Sequence, residues 1–533
     1  MGIPDFPGAA GFAASCAGAM PATVIPTPAT AAPAMKRRRP TCGSPFPSRF
    51  LDFAIALLPI RGASAEFLSP AGAQAALPSI SLDHPPGHFP SSRTTIPCEG
   101  EPAQCSGAAA SFEFAAATRL YAADSRDPDS KASQHMKHDR VVVVGAGPVG
   151  SLAAFLLARA GIPVTLLEAE PGRVIDYRAS TVHPPTLDLL EECGVSAALV
   201  EMGLIAPTMQ YRDRRDGKIA EFDFSLLKND TRYPYRVQCE QFKLVGWLYE
   251  QFAKMPGVEL LFSHSVTALS QDDDGVHVTA ETPDGEKRFD ADYVIAADGG
   301  RSSVRKLVGI DFPGLTHREH FLVSGTTFDF KSAMPDICSV NYTADPDEWY
   351  MLLQIPDMWR VLIPVGPEVE AEDARSEEFI QSALNNLLPR SEPYEIVVRA
   401  VYRVSSRVAP TYRAGRVFLA GDAAHINNPL GGMGMNGGLH DAINLTRRMT
   451  AVWHGSAGDS ELDGYELQRR PEATNAINAM TERNKKMLEE RDPEVRRQHQ
   501  TELRRIAADP KLAYEHVLQI SMISSLRRSG MLK

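Results

Sequence analysis

The sequence predicts an α/β chain: a nucleotide-binding domain built on a parallel sheet, a largely antiparallel sheet domain inserted into it, and a helical C-terminal tail. Three observations carry that expectation. A glycine-rich turn joins an apolar, β-branched run to an Ala- and Leu-rich segment near residue 145. Strand-like segments fill most of residues 312–401. A second glycine-rich stretch, 421–445, follows a short apolar run at 417–420 and leads into a helix.

The first turn is the most informative locally. Residues 141–144 are four valines, as a strand buried on both faces should be. They run into Gly145-Ala146-Gly147-Pro148-Val149-Gly150. The segment to Ala160 has high helix propensity, and Gly161 ends it. A second strand, 162–167, closes on Glu168. This strand–turn–helix–strand unit is Rossmann-like. Gly145 permits the tight turn, Gly147 lets a pyrophosphate approach the backbone, and Gly150 lets helix and strand pack closely. The helix N-terminus favours phosphate. Glu168, about twenty residues on, can accept from a ribose hydroxyl and disfavours a 2′-phosphate. The unit leaves FAD and NAD open.

At 533 residues the chain has room for two to four domains. Hydrophobic residues make up 44%, enough for sizeable cores. A net charge of −11 argues against nucleic acid as main partner. No run of apolar residues is long enough for a membrane span. Seven cysteines, Cys16, Cys42, Cys98, Cys105, Cys193, Cys239 and Cys338, show neither CxxC spacing nor a metal-ligand cluster with histidines. Free thiols in a reducing compartment, the cytoplasm, are the simplest reading, with no metal.

Residues 1–135 are rich in Ala, Pro, Ser and Gly and lack the composition to offset ordering entropy. They read as disordered, or as a mis-assigned start upstream of Met136. The basic run 36–39 and apolar patch 50–60 vaguely resemble a signal peptide, but Asp52 and the internal position count against it. The expected division is 136–310 for the first part of the nucleotide domain, with a β-meander and a piece of the substrate domain near 205–237. The substrate domain proper is 311–405, the nucleotide domain resumes at 406–450, and 451–533 is helical.

Within that frame, 186–193 reads as a helix capped by Gly194, and Asp216-Gly217 as a hairpin turn. Segments 266–269, 276–281 and 287–289, separated by two Asp-Gly pairs, form the meander. One helix, near 376–388, interrupts the inserted domain. Gly431, Gly432, Gly434, Gly437 and Gly438 read as an open loop beside a flat ligand. The charged tail after Leu462 reads as solvated helix. His183 is expected to be a loop residue. Arg178 is a candidate for phosphate or ribose.

Three motifs now stand in one order: GAGPVG with Glu168, then Asp298-Gly299-Gly300-Arg301-Ser302-Ser303-Val304-Arg305, then GDAAHxxxPxGGxGxN from Gly421. Together they resemble the group A FAD-dependent aromatic hydroxylases, the para-hydroxybenzoate and phenol hydroxylase family, over residues 138–475. The resemblance implies FAD, with NADH or NADPH bound transiently as co-substrate. It assigns Gly145, Gly147, Pro148, Gly150 and Glu168 to the ADP moiety, and Arg178 and Gln241 to further cofactor contacts. Asp298 and Gly299 would serve FAD and the nicotinamide cofactor, and Asp422 the ribityl chain. Pro429, Gly431, Gly434, Met435 and Asn436 would surround the isoalloxazine ring.

The resemblance implies NAD(P)H-driven hydroxylation of a phenolic or heteroaromatic molecule by O2, through a C4a-hydroperoxyflavin. The alternatives are a flavin oxidoreductase acting on a quinone or alkene, and an FAD protein of electron transfer or regulation. The tail after Arg-Arg-Pro is too short for the thioredoxin-like domain of the phenol hydroxylase branch. Met351 and Leu353 stand where a flavin halogenase would need tryptophans before Ile355-Pro356. Tyr235, His320, Tyr342 and Tyr350 could relay a proton, but packing roles are the plainer expectation, and no catalytic residue is assigned. The oligomer stays open, a homodimer being one option.

Overall fold

The computed structural model describes residues 138–533. The expectation for residues 1–135 lies outside the described residues. Val141–Val144 pairs in parallel with Tyr293–Ala296 on one side and Val164–Leu167 on the other. Val417–Leu419 and Val258–Leu261 extend this sheet in parallel, and Arg413–Ala414 adds an antiparallel edge. All four central valines are buried, as strands covered on both faces require. Pro148–Arg159 crosses from the first strand to the second, with Pro148 in its first turn and Gly161 (φ 78°) just past its end. The meander Ser265–Gln271, Val276–Thr282 and Gly285–Ala291 is a separate three-stranded antiparallel sheet.

The inserted region forms an eight-stranded sheet. Its order is His425–Ile426, Ile396–Val408, Gly314–Thr326, Met358–Val365, Tyr350–Ile355, Val340–Ala344, Thr208–Asp213 and Gly217–Asp223. Every pairing is antiparallel except Val340–Ala344 with Thr208–Asp213. The hairpin at Asp216-Gly217 recruits residues 208–223 to this sheet, far from their sequence neighbours. His425–Ile426 joins it directly after Val417–Leu419, so one short stretch of chain ties the two main sheets together.

Several local expectations change. The first glycine-poor helix starts earlier, at Pro184, and ends at Leu190; Gly194 (φ 80°) opens a second helix, Val195–Met202. A single turn at Phe330–Ala333, capped by Asp329, joins Glu377–Leu387 in the inserted region. The open loop is shorter than its glycines imply, because a helix begins at Gly434 and runs to Trp453. Gly437 and Gly438 serve contact, not looseness: a Cβ on Gly438 would sit 2.6 Å from Val149 Cγ2, and one on Gly437 2.8 Å from Ile477 Cδ1. Tertiary packing overrides the low helix propensity of glycine there.

The tail is helical, and Pro493–Ala508 has no buried residue. Beyond it, Val517, Ile520 and Ile523 join the core on the eight-stranded sheet's side of the molecule, and Leu526 is buried as well. No described helix is long and apolar enough to cross a membrane.

The close turn–helix contact gives a stability test. A Cβ at Gly150 would fall 1.9 Å from the Gly145 carbonyl oxygen, which is backbone and has no room to yield. Gly150→Ala should lower unfolding free energy by on the order of 1–3 kcal/mol, the usual cost of overpacking. Gly172→Ala, where the same atom meets nothing within 4 Å, should be near neutral. Urea denaturation of both variants checks the contrast.

Candidate functional site

The parallel strands end together, and their C-terminal ends open onto a cavity of about 570 Å³. Ligands of α/β sheets bind at this edge. Gly145 (φ 96°) turns the chain so tightly that a Cβ would lie 2.5 Å from the Ala297 carbonyl oxygen. Gly145, Gly147 and Pro148 line the cavity. Glu168 lines it too, with its carboxylate braced: Oε2 accepts from the Ala146 N–H at 2.8 Å and Oε1 from the Glu170 N–H at 3.0 Å. Gly150 does not reach the cavity; its role is the helix contact above.

Arg178 faces the cavity while paired with Asp176, its Nε donating to Oδ2 at 2.7 Å. That hydrogen bond raises the guanidinium above its ordinary pKa. Gln241 opens the helix Gln241–Phe252 and points its first turn at the same space. Asp298 accepts from the Val304 N–H through Oδ2 at 3.1 Å, while its buried Oδ1 has no partner. Gly299 (φ 77°) follows it on the cavity wall. Asp422 stands exposed on the cavity wall; the surrounding protein pushes its carboxyl up by desolvation, with Arg178 and His425 opposing. Pro429, Gly434 and Met435 form the next stretch of wall.

Gly431 and Asn436 lie behind that wall. The Gly431 carbonyl oxygen is 2.9 Å from His183 Nε2. Asn436 Oδ1 accepts from the His183 N–H and the Thr186 hydroxyl, and its Nδ2 donates to the Thr181 and Gly432 carbonyl oxygens. Both act as braces of the glycine turn. His183 is buried, and burial lowers its pKa well below the ordinary imidazole value. It is neutral and structural in position, as a loop residue bonded to the backbone.

A buried network supports Asp422 from beneath. Asp441 Oδ2 accepts from the Gly421 N–H at 3.0 Å and lies 2.6 Å from His425 Nε2. Its Oδ1 accepts from Arg469 Nε at 2.7 Å, and both side chains are fully buried. Arg469 also donates to the Gly437 carbonyl oxygen. Sequence reading grouped Arg469 with a solvated charge run; the structure buries it. Its apolar flank, Tyr465 in the same helix, was the available signal.

The eight-stranded sheet closes the opposite side. Met351, Leu353 and Leu362 present an apolar floor, and Arg360 and Tyr402 stand beside it. Arg360 is buried, donates to the Ser180 hydroxyl, and reaches the Arg178 carbonyl oxygen at 3.2 Å. The buried Tyr402 hydroxyl has no partner, and burial pushes its pKa up to about 12. Sequence reasoning missed both. An arginine at an inward-facing strand position was the one visible sign. None of the four proton-relay candidates lines the cavity: Tyr342 and Tyr350 are packed on buried, paired strands, Tyr235 packs edge-on against Tyr233, and His320 Nε2 accepts from Arg403. Among the described residues no His, Cys, Asp and Glu cluster could hold a metal ion.

The cavity suits FAD on this chain's own chemistry. A side-chain-free cradle lies at the helix N-terminus, and Asp298 Oδ1 and Asp422 await donors such as ribose or ribityl hydroxyls. Comparison with known proteins agrees. A family model described as an FAD binding domain matches residues 139–480. Para-nitrophenol 4-monooxygenase of Pseudomonas sp. strain WBC-3 is 32% identical over 73% of this chain and 97% of its own length. The 6-hydroxy-3-succinoylpyridine 3-monooxygenase HspB of Pseudomonas putida strain S16 is 34% identical over 62% of this chain and 84% of its own. The crystal structure of the p-nitrophenol 4-monooxygenase of Pseudomonas putida DLL-E4 superposes with a TM-score of 0.69, at 32% identity, over 73% of this chain and 98% of its own.

The Asp441 network makes a pH-dependent prediction. Burial alone would raise this carboxyl, but His425 and Arg469 outweigh it and hold it at about 2, against 3.8 for an ordinary aspartate. A depressed folded pKa contributes stability that is complete above the unfolded value and lost as pH falls through the folded one. Wild-type stability should therefore decline between about pH 4 and about pH 2 by roughly 2 kcal/mol from this group. Asp441→Asn should remove that part of the decline. It should also cost about 3–5 kcal/mol near neutral pH, because Arg469 is left buried without its counter-charge. Urea titrations across pH measure both.

Proposed function

Since the chain belongs to the family of group A FAD-dependent aromatic hydroxylases, we propose that it hydroxylates a phenolic or heteroaromatic small molecule, with NADH or NADPH as reductant and O2 as oxygen source. One observation carries the reading: a single cavity is walled on one side by the nucleotide motifs and on the other by the apolar floor of Met351, Leu353 and Leu362. Nucleotide and aromatic ring can meet there. Nitrophenol and pyridine hydroxylases among the relatives support that substrate class.

FAD, when bound, supplies the redox chemistry that activates O2. The chain supplies the rest. Gly145, Gly147 and Pro148 leave room for the pyrophosphate at the helix N-terminus. Glu168, already held by two backbone N–H groups, offers its remaining lone pairs to the adenosine ribose. Arg178 and Gln241 border the cofactor's middle, and Asp298 and Asp422 accept from its hydroxyls. Pro429, Gly434 and Met435 would flank the ring. The apolar floor keeps water from the reacting ring. The division into nucleotide parts at 136–310 and 406–450 and a substrate domain at 311–405 is proposed on the same grounds. Unpaired Cys193, Cys239 and Cys338 support a reducing compartment, the cytoplasm.

Screening phenols and hydroxylated heteroaromatic acids against the FAD-loaded enzyme tests this. At least one compound should strongly accelerate an otherwise slow NAD(P)H oxidation. A complete screen without acceleration would contradict the hydroxylase reading. Asp422→Ala should weaken FAD binding by on the order of 1–3 kcal/mol, the loss of hydrogen bonds to a charged group. Unchanged affinity would remove Asp422 from the cofactor site.

A further inference from the structure

Two of the residues that line the cavity carry sulfur: Met351, on the strand Tyr350–Ile355, and Met435, in the first turn of the helix Gly434–Trp453. Their places differ. Met435 stands on the wall that would flank the FAD ring. Met351 stands on the floor, where the aromatic ring would lie. It is 3% exposed, so reagents reach it through the cavity. Binding an apolar ring gives this sulfur no task. Leucine fills the floor at 353 and 362, and a third leucine would occupy a similar volume. What the sulfur adds is reactivity, because a thioether is a polarizable nucleophile that peroxide converts to a sulfoxide.

The sheet register puts donors for a sulfoxide oxygen beside Met351. Met351 pairs with Leu362 on the next strand. Arg360 lies two residues before Leu362, so it shares that face and is a diagonal neighbour of Met351. Long side chains reach such diagonal neighbours. Arg360 is buried and its Nε has no partner, and the buried Tyr402 hydroxyl on the same cavity wall has none either. Buried donors left unpaired are costly. A thioether sulfur is only a weak acceptor. The oxygen of a sulfoxide is a polar acceptor, and oxidation would bring it to these donors.

We propose that Met351 is a modification site, oxidised to the sulfoxide from inside the cavity by hydrogen peroxide formed when the enzyme turns over without an aromatic substrate. The inference rests on the hydroxylase reading above. It goes beyond it by assigning a covalent change to one residue of the floor. Two electrons and two protons passed from reduced FAD to O2 give hydrogen peroxide. The Met351 sulfur attacks one peroxide oxygen, an S–O bond forms and the O–O bond breaks. The other oxygen takes up the proton of the first and leaves as water. Sulfur loses two electrons and peroxide gains them. The floor gains a polar group where it was apolar, and methionine sulfoxide reductases can reverse the change.

Site-resolved mass spectrometry of the FAD-loaded full chain tests the proposal and needs no substrate. The enzyme is reduced with stoichiometric dithionite and reoxidised with O2 through repeated cycles. Catalase is present throughout and destroys peroxide that escapes the cavity. Met351 should gain the mass of one oxygen atom. Its oxidised fraction should exceed that of Met334 and Met358, which are more open to solvent. Methionine sulfoxide reductases acting on the digest should remove the added oxygen. The proposal is overturned by a Met351 that stays unoxidised, that is oxidised no more than Met334 and Met358, or that catalase protects. An added oxygen that the reductases leave in place overturns it as well. Each of these failures leaves stimulated NAD(P)H oxidation intact. A failed hydroxylation screen would leave the mass change at Met351 measurable.

Discussion

The buried ion pair of Asp441 and Arg469 is the constraint on which the site depends. One carboxylate accepts from Arg469, from the Gly421 N–H and, across a short contact, pairs with His425. It therefore joins the turn that carries Asp422, the helix Gly434–Trp453 and the tail helix Asp463–Pro471. Gly421 (φ 60°) places Asp422 at the cavity, and the network beneath holds that conformation. His425 lies on the short strand that enters the eight-stranded sheet. The same few residues thus set the position of the parallel sheet's ligand edge against the apolar floor. A buried ion pair is weak evidence for stability, but separating it leaves an uncompensated buried charge, so the arrangement it spans is costly to open. Here the arrangement is the distance between the nucleotide motifs and the sheet.

Much of this was legible because the motifs are local. Val141 to Glu168 is one continuous unit, and its turn chemistry follows from sterics that act within a few residues. The inserted sheet announced itself by its run of strand-like segments and the Asp216-Gly217 hairpin, and the separate meander by its two Asp-Gly turns. What escaped sequence reading acts at long range. Gly437 and Gly438 look like loop residues until Ile477 and Val149 are brought against them. Arg469 looks solvated until Asp441 arrives from another helix. Arg236, on the strand Arg236–Gln238, is 1% exposed and donates to the Ile520 carbonyl oxygen, and nothing in its neighbours in sequence foretells that burial. Arg360 and Tyr402 become cavity residues only when two distant strands share a sheet face.

The site thereby divides into two chemistries. Around the parallel strand ends it offers backbone N–H groups, a positive helix end and acceptors suited to a nucleotide. Across from these, the eight-stranded sheet offers the apolar surface of Met351, Leu353 and Leu362. A planar aromatic molecule complements that second half, and FAD complements the first. Their shared space is what a hydroxylation needs, since ring and activated oxygen must meet away from water.

Oxygen tracing tests this account most directly. A compound that accelerates NAD(P)H oxidation should be converted, in the presence of isotopically labelled O2, to a product heavier by one labelled oxygen atom. Labelled water should leave no label in it. A product without oxygen from O2, or NAD(P)H oxidation that yields only hydrogen peroxide with every stimulating compound, would contradict the claim that this cavity is built for aromatic hydroxylation.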